Sequence, residues 1–131
     1  MDFLKAIRQY VLLLVSHLNQ DKSSYYRFSF SDTFLSYHRA KYFELLSFQL
    51  INKNDYSTQA EHQRNAVWFF LHSALKGYSE SQYKLGICYL HGELGLKKNI
   101  FIAYKWLKLA ADQGHIGAIN ELKLFSRTKQ L

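Results

Sequence analysis

Histidine, cysteine and the carboxylates are the side chains with the widest chemical reach, and their spacing in this chain is uninformative for catalysis. Of six histidines, His62 and His72 stand ten residues apart, His91 stands alone, and His17 and His38 are isolated. Zinc sites use His pairs four apart on one helix face, or Cys-x-x-Cys, and neither spacing occurs among these residues. Surface or structural roles are expected for them, with no bound metal and no cofactor. Cys88 lies between Ile87 and Tyr89 in a helical run, which points to a buried, inert thiol. His91 follows three residues later, a helical neighbour rather than a base. One cysteine cannot close an internal disulfide, so there is no sign of an oxidising compartment. The glycines of Gly92-x-x-Gly95 lack the Gly-Lys-Ser/Thr and the preceding strand of a phosphate loop and read as a sharp turn. The ten acids are scattered, and Asp112 and Glu121 fall in different predicted helices, so no glycosidase-type carboxylate pair is supported. The expectation is a protein that is not an enzyme and has no catalytic residues.

The bulk composition bounds the rest. At 131 residues the chain suits one domain, which should bury roughly two-thirds of its unfolded surface without metals or disulfides. Hydrophobic residues make up 48% and charged residues 21%, which excludes disorder. Aromatics reach 17%, with 10 Tyr and 10 Phe, a high share that needs a packing role. The net charge of +7 favours an acidic partner. The lysines and arginines are dispersed, with Lys97–Lys98 the one adjacent pair, so no basic tract of the nucleic-acid type is present. Lys5 and Arg8 before the apolar run 10–15 resemble a signal peptide, but no small-x-small cleavage site follows. The uncharged stretch 9–20 is shorter than the roughly 20 residues that span a bilayer. A cytoplasmic protein without a transmembrane segment is expected.

Proline is absent and all six glycines lie from Gly77 onward, which with the apolar periodicities predicts about six helices. The first covers residues 2–18, where Phe3, Ile7, Tyr10, Leu14 and Leu18 share a face. A loop of polar and aromatic residues, 19–31, follows. The second helix is expected over 32–51, capped by Ser31 or Asp32. The third starts on a capping box, Thr58-x-x-Glu61, and ends at Gly77. The fourth starts on Ser79-x-x-Gln82 and ends at Gly92. The fifth is capped by Asn99 and ends at Gly114, and the sixth runs over 116–127.

Six residues recur 37 positions apart: Ala66 with Ala103, Phe69 with Trp106, Ala74 with Ala111, Gly77 with Gly114, Ser81 with Ala118 and Leu85 with Leu122. Small residues such as Ala103, Ala110 and Ala111 let helices approach, a large ring such as Trp106 fills the space between stacked pairs, and glycine turns the chain out of a helix. The run Ser81-x-x-x-Leu85-Gly86-x-x-Tyr89-x-x-Gly92-x-x-Gly95, continuing into Ala103-x-x-Trp106-x-x-x-Ala110-Ala111-x-x-Gly114, closely resembles the Sel-one-like repeat, a relative of the tetratricopeptide repeat. The match covers about residues 66–125. The loop departs from the family pattern by one extra residue, with Gly92-Glu93-Leu94-Gly95-Leu96 where Gly-x-Gly-Val is usual.

The resemblance implies an all-α fold, a short right-handed α-solenoid of stacked antiparallel helix hairpins with an N-terminal capping helix. Its units would be residues 1–31 as cap helix and loop, 32–78 as a degenerate repeat, 79–115 as a full repeat, and 116–131 as a half-repeat and tail. In the degenerate unit Leu46-Ser47 would stand for Leu85-Gly86, at an offset of 39. The resemblance further implies a protein-binding adaptor or inhibitor, including an immunity protein that neutralises a toxin, since many such repeat proteins are bacterial. A partner with an acidic surface would then dock on the helix-A face, where Tyr83, Ile87 and Leu90 form a stripe at steps of four and three. Glu44, Phe48 and Ile51 would take the equivalent places upstream, and Asn120, Leu124 and Arg127 downstream. An apolar stripe of this kind is more simply solenoid core than docking surface. A basic nucleic-acid-binding helical protein is the rival reading.

Overall fold

The computed structural model describes residues 27–128. The expected helix over 2–18 and the loop residues 19–26 lie outside the described residues. The chain divides into two compact units, Met1–Ser31 and Asp32–Leu131. The packing below is that of the second.

Five α-helices follow one another: α1 Arg27–Gln49, α2 Tyr56–Leu75, α3 Ser79–His91, α4 Ile100–Asp112 and α5 Ile116–Thr128, with a 3₁₀ turn at Ile51–Lys53 between the first two. No strand occurs among the described residues. The fold is all-α, a stack of antiparallel hairpins in the manner of an α-solenoid. α1 pairs with α2, α3 pairs with α4, and α5 packs against the second hairpin.

Both hairpins close in the same way. Tyr78 N donates to Ser73 O and Gly77 N to Ala74 O; His115 N donates to Ala110 O and Gly114 N to Ala111 O. This is the Schellman arrangement, and it requires a left-handed residue, supplied by Gly77 at φ 91° and Gly114 at φ 86°. The 37-residue period is therefore repeated in hydrogen bonds as well as in residue types.

The hairpins differ in how closely their helices approach. A Cβ on Gly86 would lie 2.7 Å from Leu107 Cδ2 and 3.3 Å from Leu107 N, so α3 and α4 touch backbone to side chain. Rings separate α1 from α2: Phe43 stacks on Phe69 at 5.8 Å with planes 4° apart, and Tyr37 meets Phe70 at 5.9 Å. Such ring pairs add about 0.5–1.5 kcal/mol each beyond area burial. The core behind them holds Ala40, Ala66, Phe70, Ala74, Leu85 and Cys88, and a second cluster joins Leu107, Ala110 and Ala118.

Several starts differ from expectation. α1 begins at Arg27, so Asp32 lies inside the helix and caps nothing. Its carboxylate instead receives the ammonium of Lys76, the residue that follows α2, and lies 3.6 Å from His72 Nε2. Hydrogen bonding from Lys76 holds it below the usual carboxylate range. α2 is capped by Asp55, which accepts from Thr58 N at 3.1 Å, not by Thr58 with Glu61. α3 has Tyr78 at its cap with no side-chain bond. Its Gln82 amide donates across to Ala74 O and accepts from Gln113, joining the ends of α2 and α4. Asn99 does cap α4, accepting from Ile102 N at 3.0 Å.

The register of the first hairpin also departs from the 39-residue alignment. Opposite Leu107 stands Gly86, but opposite Phe70, its counterpart 37 residues earlier, stands Tyr37, with Thr33 against Ser73. α1 and α2 run on for about two further turns beyond the shared part, which moves Leu46-Ser47 well past the position that Leu85-Gly86 holds.

Candidate functional site

The polar groups brought together by the fold are structural. Ser81 Oγ donates to Ser73 Oγ, which donates to Thr33 O, both at 2.9 Å and all buried. This chain ties α3, α2 and α1. Glu44 of α1 is 3% exposed and holds two ammonium groups, Lys84 of α3 at 2.5 Å and Lys41 at 2.6 Å. Lys84 also lies 3.8 Å from Glu93. Burial presses the Lys84 pKa down, but the hydrogen bond and charge of Glu44 outweigh it and leave it above the ordinary lysine value. Burial pushes the Cys88 thiol up to about 12, past the opposing pull of Lys84. The thiol is thus protonated at neutral pH and a poor nucleophile.

The histidines are dispersed in the same way. His72 stacks on Trp68 at 5.3 Å, His38 packs between Phe34 and Tyr37, His62 meets Phe43, and His91 is exposed. His17 lies outside the described residues. His115 accepts from Ala118 N at Nδ1, so its Nε2 faces Glu80 Oε2 at 3.2 Å. Among the described residues no three His, Cys, Asp or Glu gather as a metal-holding group, and no helix is long and apolar enough to cross a membrane.

The residues expected on the helix-A face divide into two sets. Glu44 is consumed by its two lysines. Tyr83 lies over Gly117, where a Cβ would come within 2.9 Å of its ring, and stacks on His115 at 4.4 Å. Ile87 packs against the cluster of Leu107, Ala110 and Ala118. These three hold helices together. Phe48, Ile51, Asn120, Leu124 and Arg127 are exposed. Leu90 lines a cleft of about 190 Å³ between α3 and α5 with Glu121, Leu124, Phe125 and Thr128.

The residues that the repeat implies are mostly internal. Ala66, Ala74, Ser81, Leu85, Gly86, Ala103, Ala110 and Ala118 are buried, while Phe69, Tyr89, Trp106, Ala111 and Leu122 are half-buried. Gly92 and Gly95 have positive φ. Sequence reasoning missed Leu94, the extra loop residue. It takes φ 54° and inserts into the core beside Cys88 and Leu85. Its signal was a leucine between two glycines, a side chain placed where the backbone bends most tightly.

Asn120, Leu124 and Arg127 stand 37 residues after Tyr83, Ile87 and Leu90. In α3 this face receives α5; in α5 no described helix covers it. Leu124, 53% exposed, lies at the edge shared by that face and the cleft.

Comparison with known proteins agrees with the period and the packing. Residues 79–115 match the Sel1 repeat family. No curated protein and no solved structure matches the chain. Sel1 repeats mediate protein–protein interaction and are typically non-enzymatic. The matched segment, which is similar to one Sel1 repeat, is the one formed by α3, its loop and α4.

Proposed function

We propose that this protein is a docking module that takes an amphipathic helix of a partner protein along α5. The observation that carries the reading is the repeat's own geometry. The face that α3 uses to receive a helix recurs in α5 with Asn120, Leu124 and Arg127, which are exposed and have no helix of the described residues on them. Leu124, Leu90 and Phe125 supply an apolar seat, and an apolar seat with a polar rim is how helix-in-groove recognition works. Lys123 and Arg127 are exposed on α5, which favours acidic residues flanking the partner's apolar anchor. Phe48 and Ile51 of the first hairpin are available to a longer partner.

The chemistry within the fold suits binding over catalysis, because its buried ionic and sulfhydryl groups are tied up in packing. An adaptor and an inhibitor of one target, such as an immunity protein, use the same surface and differ in strength. The inhibitor would bind one partner at about nanomolar affinity, the adaptor several more weakly.

The test compares proteins captured by the native chain with those captured by Leu124→Glu. The side chain is exposed, so melting should be unchanged within about 0.5 kcal/mol. A protein lost from the variant supports the reading. Identical captures, or steeply salt-dependent capture of nucleic acid in place of protein, would refute it.

A further inference from the structure

A different surface, on the second hairpin, combines exposed lysines with exposed rings and aliphatic side chains. Between Glu93 and Asp112 the chain has four lysines, Lys97, Lys98, Lys105 and Lys108, and no acid. All four are exposed. Lys108 is bound to Asp112 at 2.7 Å; Lys97, Lys98 and Lys105 have no carboxylate among the described residues within 4.0 Å. Among them stand Ile100 and Phe101, 54% and 68% exposed, with Tyr104 and Leu109 also exposed along α4. Lys105 Nζ sits 4.5 Å from the Phe101 ring centroid, so charge and ring occupy one spot. The N-terminus of α4 and the lysine pair before it make the tip of the hairpin.

We infer that this tip and the outer face of α4 bind the surface of an anionic phospholipid bilayer. Ile100 and Phe101 enter the boundary between headgroups and acyl chains, and Lys97, Lys98 and Lys105 lie against the lipid phosphates. A basic helix face with exposed Phe, Tyr and Leu is the composition that interfacial binding needs. A nucleic acid would satisfy the lysines but leave Ile100, Phe101 and Leu109 in water. An acidic protein would need a pocket shaped to a projecting phenylalanine, whereas a bilayer accommodates one without a preformed cavity. The inference stands apart from the docking of a partner on α5.

The full chain is mixed with vesicles of phosphatidylcholine alone, or with about one-third phosphatidylglycerol, and binding is read by flotation. Binding to the anionic vesicles and not to the neutral ones is expected. Each lysine near such a surface contributes about fivefold, so Lys97→Glu with Lys98→Glu should weaken binding by about 25-fold or more. Phe101→Ser should weaken it by about tenfold or more. Phe48→Ser, exposed on α1, and Leu124→Glu should leave it unchanged. Equal binding to both vesicles, none to either, or no loss in the lysine variant would overturn the inference. Duplex DNA or polyglutamate bound through Lys97 and Lys98, with vesicles left unbound, would also overturn it and reassign the surface.

Discussion

The substitution Gly86→Ala probes the close approach of α3 to α4. A methyl group there would stand 2.7 Å from both Leu107 Cγ and Cδ2 and 3.3 Å from the Leu107 backbone nitrogen. Carbon atoms rest at about 3.5–4.0 Å, so Leu107 must retreat by about 1 Å. Leu107 has 0% exposure and packs on Ala110 and Ala118, which leaves it nowhere to go without moving α4. Overpacking of this kind costs about 1–3 kcal/mol. Helix propensity offsets about 1 kcal/mol, because alanine suits a helix interior better than glycine. The net expectation is a loss of about 0–2 kcal/mol, read as a melting temperature lower by up to about 8 °C. A second arm separates steric from other causes. Leu107→Ala alone should cost about 2–5 kcal/mol for its cavity, and in that background Gly86→Ala should turn neutral or stabilising. If Gly86→Ala raises the melting temperature of the otherwise native chain, α3 and α4 do not meet as described.

Four further expectations follow from the same packing. Glu44→Ala strands Lys84 and should cost about 3 kcal/mol in urea unfolding, whereas Glu44→Leu with Lys84→Met should be close to neutral. Stability should fall on the alkaline side. Burial holds Cys88 and Tyr37 up to about 12 against ordinary values of 9.0 and 10.0, so the unfolded chain releases those protons first. The Lys84 contribution is complete below 10.5 and is lost as pH rises through its higher folded value. The urea midpoint measured across this range should drop steadily, and a flat profile would contradict the burial of these groups. Cys88 should react with a thiol reagent at neutral pH only at the rate of unfolding; fast labelling of the native protein would show that it is accessible. Asn99→Ala removes the bond to Ile102 N and should cost about 1 kcal/mol, with no loss expected if α4 is capped otherwise.

The second hairpin was readable in the sequence because its packing is local and uses residue types with few alternatives. Gly77 and Gly114 are each followed by a Schellman closure, and Ala103, Ala110 and Leu85 are buried where the period puts them. The first hairpin was less readable because its helices meet through rings. Rings tolerate several registers, and nothing in Leu46-Ser47 marks it as wrong without knowing that Tyr37 faces Phe70. The capping-box patterns at Thr58 and Ser79 failed for a related reason. Asp55, three residues before Thr58, is the stronger cap, and Gln82 has partners in α2 and α4 that a local pattern does not register. Glu44 was expected on the helix-A face as the upstream equivalent of Tyr83; the lysine that pairs with it from α3 lies forty residues away. On the helix-A face, sequence alone could place Tyr83, Ile87 and Leu90 on one stripe. Only the packing of α5 shows that two of them are covered and that no described helix lies on the matching face of α5.

Photo-crosslinking from a reactive side chain at position 124 tests the docking account most directly, with the same group at exposed Glu61 as reference. The account predicts a covalent adduct with a partner protein formed from position 124 and absent from position 61. Adducts from both positions alike, with nucleic acid in place of protein, or from neither would contradict it.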